Sequence, residues 1–336
     1  MRPSAIGKTV VTAALVVLPA GVLASCAGHS GIAYQPPAIA PAGSNDLSRP
    51  SERPRSPYFR TFGDGTTVHM YLPASQRRQP NFPDHVVYNG GPIVQQSVTY
   101  AIFWRPHGTY MDAKYESVIE DFMHKVGNTT QYNALTQYYD KKFGILNASS
   151  FGGAWTDTAA YPSDFNHGRT GDEDLHDEVL KAIDANGWPH GGITPIYTIF
   201  TASKAPDDRW AACAYHASFT YNGVVYIYAI VPYQHDYGPH GCGTPSNVWP
   251  NDRDADQTID TYWHEQAEAT SDPITSGHRN GAWYSDVSGA EIGDLCQTSY
   301  GRIHPDGADT ILHGQPFVTQ EIWSNFNYHC VQHLRR

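Results

Sequence analysis

Residues 261 to 270, TYWHEQAEAT, set His264, Glu265 and Glu268 in the order of a zinc-protease helix, with Glu where that helix carries its second His. On a helix, His264 and Glu268 stand four apart, so their side chains lie one above the other and can reach one ion. Glu265 is turned from His264 by about 100°, the offset at which a glutamate acts as base on a metal-bound water. Zn²⁺ accepts carboxylate oxygen as well as imidazole nitrogen, so the substituted position keeps a ligand. The same short pattern also arises on solvated helix faces, and the residues around it must decide.

Further along, GAEIGDLC places Glu291 and Asp294 three apart. If this piece is helical, both face one side and supply a third metal ligand from a second helix. In the gluzincin arrangement a downstream Glu fills that place and an Asp orients a ligating His. Alternatively, Asp294 hydrogen-bonds backbone beside Cys296. His216 reads as a ligand, a substrate contact or a satisfied strand residue, the last being the first choice. Asp260, one turn before His264, stands either as support behind that His or on a solvated face, with the face favoured. Asp272, before Pro273, closes the helix through its own side chain.

These residues need elements to hold them. Asp254 or Asp256 caps a helix over 256–271, which Pro273 ends. SVTYAIFW (97–104) and ITPIYTIFTA (193–202) are β-branched and aromatic, and read as buried strands. YESVIEDFMHKVG (115–127) and LHDEVLKAIDANG (175–187) show helical periodicity, the second stopping at Asn186 and Gly187. CAYHASFTYNGVVYIYAIVPY (213–233) is a hairpin turning at Asn222-Gly223. The resulting order of strand, helix, helix, strand, hairpin, helix predicts an α/β or α+β domain with a mixed sheet.

The chain begins with Arg2 and Lys8 ahead of the apolar run VVTAALVVLPAGVLA, which has the form of a secretory signal over 1–25. Leu23-Ala24-Ser25-Cys26 resembles a bacterial lipobox, which would place a lipid on Cys26; cleavage after Ala24 is the alternative. Residues 26–56 are rich in Pro, Ser, Ala and Gly and read as a disordered tether, followed by a single globular domain over 57–336. Setting Cys26 aside from the five cysteines leaves Cys213, Cys242, Cys296 and Cys330. Four cysteines in an oxidising compartment allow three pairings. Cys213–Cys242, flanking the hairpin, and Cys296–Cys330 are the expected bridges. A formal net charge of −11 argues against a nucleic-acid partner. Peptide or cell-wall glycan remain as partners, with the membrane reached through the lipid anchor alone.

As a set, several motifs resemble the EXORDIUM-like, phosphate-responsive secreted family and its bacterial relatives. They are YNGGPIVQQSVTYAIFW, CAYHASF, the run HEQAEATSDP through WY to EIGDLC, and VTQEIWSNFNYHC, spanning roughly residues 85 to 332. Two positions depart from it: Gln266 stands where the relatives usually carry an aliphatic residue, and Trp263 where many carry a small one. The resemblance implies a shared fold and constellation; the plant members are cell-wall-associated growth regulators of undefined biochemical activity.

Together these readings give a zincin-like mixed sheet with an active-site-type helix, in an exported, lipid-anchored or secreted extracytoplasmic protein. Its expected chemistry is that of a zinc-dependent, peptidase-like hydrolase: His264 and Glu268 as ligands, Glu291 or Asp294 as the third, and Glu265 as base. A non-enzymatic cell-envelope or cell-wall binding protein is the alternative, and a glycosidase using two carboxylates a weaker one.

Overall fold

A computed structural model describes residues 57–62, 65–73, 76, 84–163, 165, 172–206, 212–236, 242–245, 247–275 and 281–334. The expected signal segment 1–25, Cys26 and the tether 26–56 lie outside the described residues. In chain order the elements begin with strands β1 (Phe59–Thr61), β2 (Thr67–Tyr71), β3 (Val87–Tyr88) and β4 (Ser97–Trp104). Helix α1 (Tyr115–Lys125), strand β5 (Ser149–Asp157), helix α2 (Glu173–Asn186) and strand β6 (Pro195–Thr201) follow. Next are β7 (Ala214–Tyr221), β8 (Val224–Val231) and helix α3 (Arg253–Ser271). The short strands β9 (Trp283–Tyr284), β10 (Thr310–Leu312), β11 (Gln315–Phe317), β12 (Ile322–Ser324) and β13 (His329–Val331) complete the order.

Seven strands form one mixed sheet in the order β1-β2-β7-β8-β6-β4-β5, making this a single mixed α/β domain. The half from β8 through β6 and β4 to β5 is parallel, and the half from β1 through β2 and β7 to β8 is antiparallel. The division follows from the connections: parallel neighbours need a crossover, here α1 and α2, whereas β7 and β8 are joined by a two-residue turn. Asn222 and Gly223 both take positive φ, 49° and 77°, as a type I′ turn requires. The parallel strands β4 and β6 are buried along nearly their whole length, which is why they read as continuous apolar runs.

Strand β5 was not expected, and its glycines explain why. A Cβ on Gly152 would lie 2.4 Å from the Tyr100 ring, so the close approach of that ring demands a residue that otherwise signals a loop. Helix α3 starts three residues earlier than expected and uses a different cap. Asp252 accepts the N–H groups of Asp254 and Ala255 at 3.0 and 2.9 Å, while Asp256 reaches back to the N–H of Asp252 at 2.9 Å. The side chain of Asp254 instead takes the Tyr233 hydroxyl at 2.5 Å and faces His235 at 2.6 Å. Apart from Arg253 and Gln257, every residue of α3 is buried, so the solvated face expected for Asp260 does not exist. A helix covered on all sides is a core element.

Asp272 caps the C-terminus of α3 through its backbone N–H, which donates to the Glu268 carbonyl at 2.6 Å. Its side chain does not close the helix as expected but accepts the Ala282 N–H at 2.6 Å. The second helix expected over Glu291 and Asp294 is a short 3-10 turn, Asp294–Cys296, with Glu291 ahead of it. Both expected disulfides are present, Cys213–Cys242 and Cys296–Cys330, with Cα separations of 5.5 and 5.6 Å. Among the described residues no helix is long and apolar enough to cross a membrane.

Candidate metal centre

Three elements and one turn bring seven ionisable side chains together. Strand alternation puts His69 and Tyr71 on one face of β2, and the antiparallel register pairs His69 with His216 of β7. Helix α3 packs on this face and presents His264, Glu265 and Glu268. The segment ending in the Asp294–Cys296 turn adds Glu291 and Asp294. Asp294 is 3% exposed and the other six are fully buried. The two disulfides anchor the contributing segments: Cys213 immediately precedes β7, and Cys296 lies two residues after Asp294.

Glu268 is the hub. Its Oε1 accepts the backbone N–H groups of Gly293 and Asp294 at 3.0 and 3.1 Å. Its Oε2 lies 3.1 Å from His264 Nε2, 3.2 Å from His69 Nδ1 and 3.8 Å from His216 Nδ1. His69 faces carboxylates on both sides, with Nδ1 3.3 Å from Glu291 Oε2 and Nε2 3.0 Å from Asp294 Oδ2. Asp294 Oδ1 is also 3.8 Å from His264 Nε2. His216 Nδ1 meets Glu265 Oε2 at 3.1 Å, and its Nε2 lies 3.5 Å from Glu291 Oε2.

These short separations are not a closed hydrogen-bond network. Both His69 nitrogens, His264 Nε2, Glu268 Oε2 and Glu265 Oε1 are buried without a hydrogen bond. Buried polar atoms are nearly always paired, and a cluster of orphans converging on one space is what a cation would satisfy. The potential ligands fall into two groups, His69, His216, Glu268 and Glu291, and His264, Glu268 and Asp294; within each group the ligand atoms lie within 4.8 Å of one another.

An outer layer orients the inner one. His264 Nδ1 sits 3.2 Å from Gln320 Oε1, an acceptor, which places the proton on Nδ1 and leaves Nε2 to point inward as a lone pair. Gln320 is held in turn: its Nε2 donates to the Gly293 carbonyl at 2.9 Å and its backbone N–H to Asp260 Oδ1 at 2.6 Å. Asp260 also accepts the Tyr300 hydroxyl at 3.0 Å, so it is buried support acting on His264 through Gln320. Tyr71 stacks on the His264 ring at a centroid distance of 4.1 Å. Gly293 must be glycine, because a Cβ there would lie 2.6 Å from His264 Nδ1 and 2.9 Å from Glu268 Oε1.

Burial and the neighbouring charges pull the titratable groups of the site in opposite directions. Burial disfavours a charged His69, but the Asp294 and Glu268 carboxylates outweigh it and raise the ring to about 10. His264 is likewise raised, Glu268 overcoming burial. His216 is dominated by burial and falls to about 4. Burial pushes the Glu265 carboxyl well above its usual range, reinforced by Glu268 and Asp294. Burial also raises Asp294, with Glu268 adding to it. Glu268 is held well below the usual range, because His264 and His69 outweigh its burial. Ligation would require the raised imidazoles to give up protons, so metal and protons compete for the same atoms.

The candidate residues read from sequence, His264, Glu265, Glu268, Glu291 and Asp294, all fall in this cluster. Asp294 combines its two readings: besides facing His69, its Oδ2 accepts the Glu291 N–H at 3.0 Å. His216 is the satisfied strand residue first expected, with Nδ1 3.1 Å from Glu265 Oε2 and Nε2 3.3 Å from the Asp272 carbonyl, and it also stands among the carboxylates. His69 was missed, as were Gln320 and Gly293. The only signal for His69 was a lone imidazole within the apolar TVHMY, and nothing local ties it to residues some 200 positions downstream. Gln266 donates to Ser149 Oγ at 3.0 Å, and Trp263 packs edge-on to Phe122 and tilted on Tyr132. Both serve packing behind the helix.

No family model matches the chain, and no curated protein or solved structure matches it either. Fold and site therefore define the class unaided: a disulfide-bonded mixed α/β domain with a buried histidine–carboxylate cluster able to hold a metal ion.

Proposed function

We propose that this is an exported, zinc-dependent hydrolase of the peptidase-like type, a zincin-like domain related to the EXORDIUM-like secreted proteins and anchored through lipid on Cys26. The observation that carries the reading is the convergence of His264 Nε2 and Glu268 Oε2, one turn apart on α3, neither hydrogen-bonded, with Asp294 on the same space. Imidazole and carboxylate donors suit Zn²⁺. A bound zinc ion supplies Lewis acidity and lowers the pKa of its water toward about 7. The chain does the rest. Gln320 fixes the His264 tautomer, and the Gly293 and Asp294 amides hold one Glu268 oxygen so that the other points inward. Glu265, with a raised pKa and an orphan Oε1, is the group placed to take and return a proton. A structural zinc site is complete with four ligands; seven converging groups exceed that need. The two disulfides are compatible with an extracytoplasmic compartment.

One observation favours a second reading, a non-enzymatic envelope or cell-wall binding protein stabilised by metal: each of the seven side chains is 3% exposed or less. Metal analysis of the purified protein, followed by peptide and ester hydrolysis assays on wild type and Glu265→Gln, separates the two. The hydrolase reading expects zinc in both proteins and turnover in wild type alone. Zinc without turnover in either selects the binding protein, and a folded protein that stays metal-free after zinc supplementation and is indifferent to chelator removes both.

A further inference from the structure

We infer that the centre is built for two divalent cations sharing the Glu268 carboxylate, one held by His69, His216 and Glu291 and the other by His264 and Asp294. The inference rests on the proposed metal-dependent function and deepens it from one ion to a pair.

Two features of the cluster point to more than one ion. First, the potential ligands do not form a single set: the two groups share only Glu268, one adding His69, His216 and Glu291 and the other His264 and Asp294. Second, Glu268 is arranged as a bridge. Its Oε1 is committed to two backbone amides, while Oε2 faces His264 of one group and His69 of the other at 3.1 and 3.2 Å without a hydrogen bond to either.

His69 makes the same point from the histidine side. Its nitrogens face Glu268 and Glu291 on one edge and Asp294 on the other, yet neither is hydrogen-bonded. A neutral imidazole has one N–H, so it cannot serve carboxylates on both edges as a donor. An ion on the Nδ1 side, with Nε2–H directed at Asp294, satisfies both. Carboxylate-bridged pairs, with ions typically about 3.5–4 Å apart, clamp both the attacking and the leaving oxygen of a hydrolysed bond. That assigns the centre substrates whose leaving group needs a second electrophile, such as amides and phosphoesters.

The test is metal stoichiometry on the full-length protein, read by inductively coupled plasma mass spectrometry and by Co²⁺ titration of chelator-treated wild type. The expected result is two equivalents in wild type, one in His69→Gln, one in His264→Gln and none in Glu268→Gln. A wild-type stoichiometry of one, lost in both histidine variants, overturns the pair and leaves the single-ion hydrolase standing. No metal in folded wild type overturns both. Because the wild-type value decides alone, a variant that fails to fold does not obscure the outcome.

Discussion

Neighbouring residues of one strand lead to opposite faces of the sheet and to two kinds of buried charge. Tyr215 of β7 points toward α2, where its hydroxyl donates to Asp172 Oδ1 at 2.9 Å, and Tyr228 of β8 donates to the other oxygen. His216, the next residue, points toward α3 and enters the metal cluster. On the α2 side the carboxylates face groups the chain itself provides, Asp172 two phenols, and Asp157 and Glu178 Lys181, with Glu178 Oε1 the one carboxylate oxygen of these three residues left without a hydrogen bond. On the α3 side, four carboxylates meet three histidines and leave orphaned atoms. Low-dielectric surroundings make both faces intolerant of unpaired charge. The difference therefore shows where the chain finishes its own electrostatics and where it leaves room for a cation.

The comparison breaks most visibly at Glu268. Glu268→Gln keeps the volume but removes the shared charge, and should abolish metal binding. If wild type binds metal at about 1,000 times its dissociation constant, chelation should cost wild type about 4 kcal/mol, while the variant should melt at the same temperature with and without chelator. Calorimetry on the two proteins checks this. Equal chelator sensitivity would mean that the α3 face is as self-sufficient as the α2 face.

Gly293→Ala tests the same face sterically. The added methyl meets His264 and Glu268, neither of which can yield inside a packed core. Overpacking of this kind costs about 1–3 kcal/mol, and displaced ligands typically lose about 10–100-fold in metal affinity. Denaturant melts and a competitive chelator titration would read the two effects separately. Unchanged affinity would show that the turn does not position the ligands.

Much of this architecture was legible because it repeats locally. Strands β4 and β6 are apolar runs, α1 and α2 carry 3.6-residue periodicity, and Asn-Gly marks the hairpin turn; each signal lies within its own element. The start of α3 was less legible. Asp252, Asp254 and Asp256 are all competent caps, and the assignment depends on distant partners such as Tyr233, which draws Asp254 away. Strand β5 was hidden because packing against Tyr100 selects a glycine at position 152. The α3 half of the centre was readable from helical spacing. The β2 half was not, because His69 joins the site through the register of β2 on β7, a pairing that no local pattern specifies.

On the α2 face, Asp172→Ala should leave the Tyr215 and Tyr228 hydroxyls without this buried acceptor. Hydrogen bonds to a charged group are worth about 1.5–3 kcal/mol, so the variant should be destabilised by about that much while retaining full metal content. Loss of metal here would show that the two faces are coupled through β7.

The smallest expected effect is a pH dependence carried by Glu178. Burial, reinforced by the Asp157 charge, raises its pKa from 4.5 to about 8, and Lys181 only partly offsets the shift. A carboxyl raised in the folded state binds protons that the unfolded chain releases. Its contribution is therefore fully present below pH 4.5 and is lost as pH rises through about 8. Glu178→Gln removes that titration, so the variant should gain on wild type as pH rises across the window. Melts at pH 5 and pH 8.5, with metal saturating in both, isolate the effect from ligand protonation at the centre. A difference between the two proteins that does not change with pH would mean that Lys181 and Asp157 already settle the charge of this face, making the α2 side still more self-contained than its geometry implies.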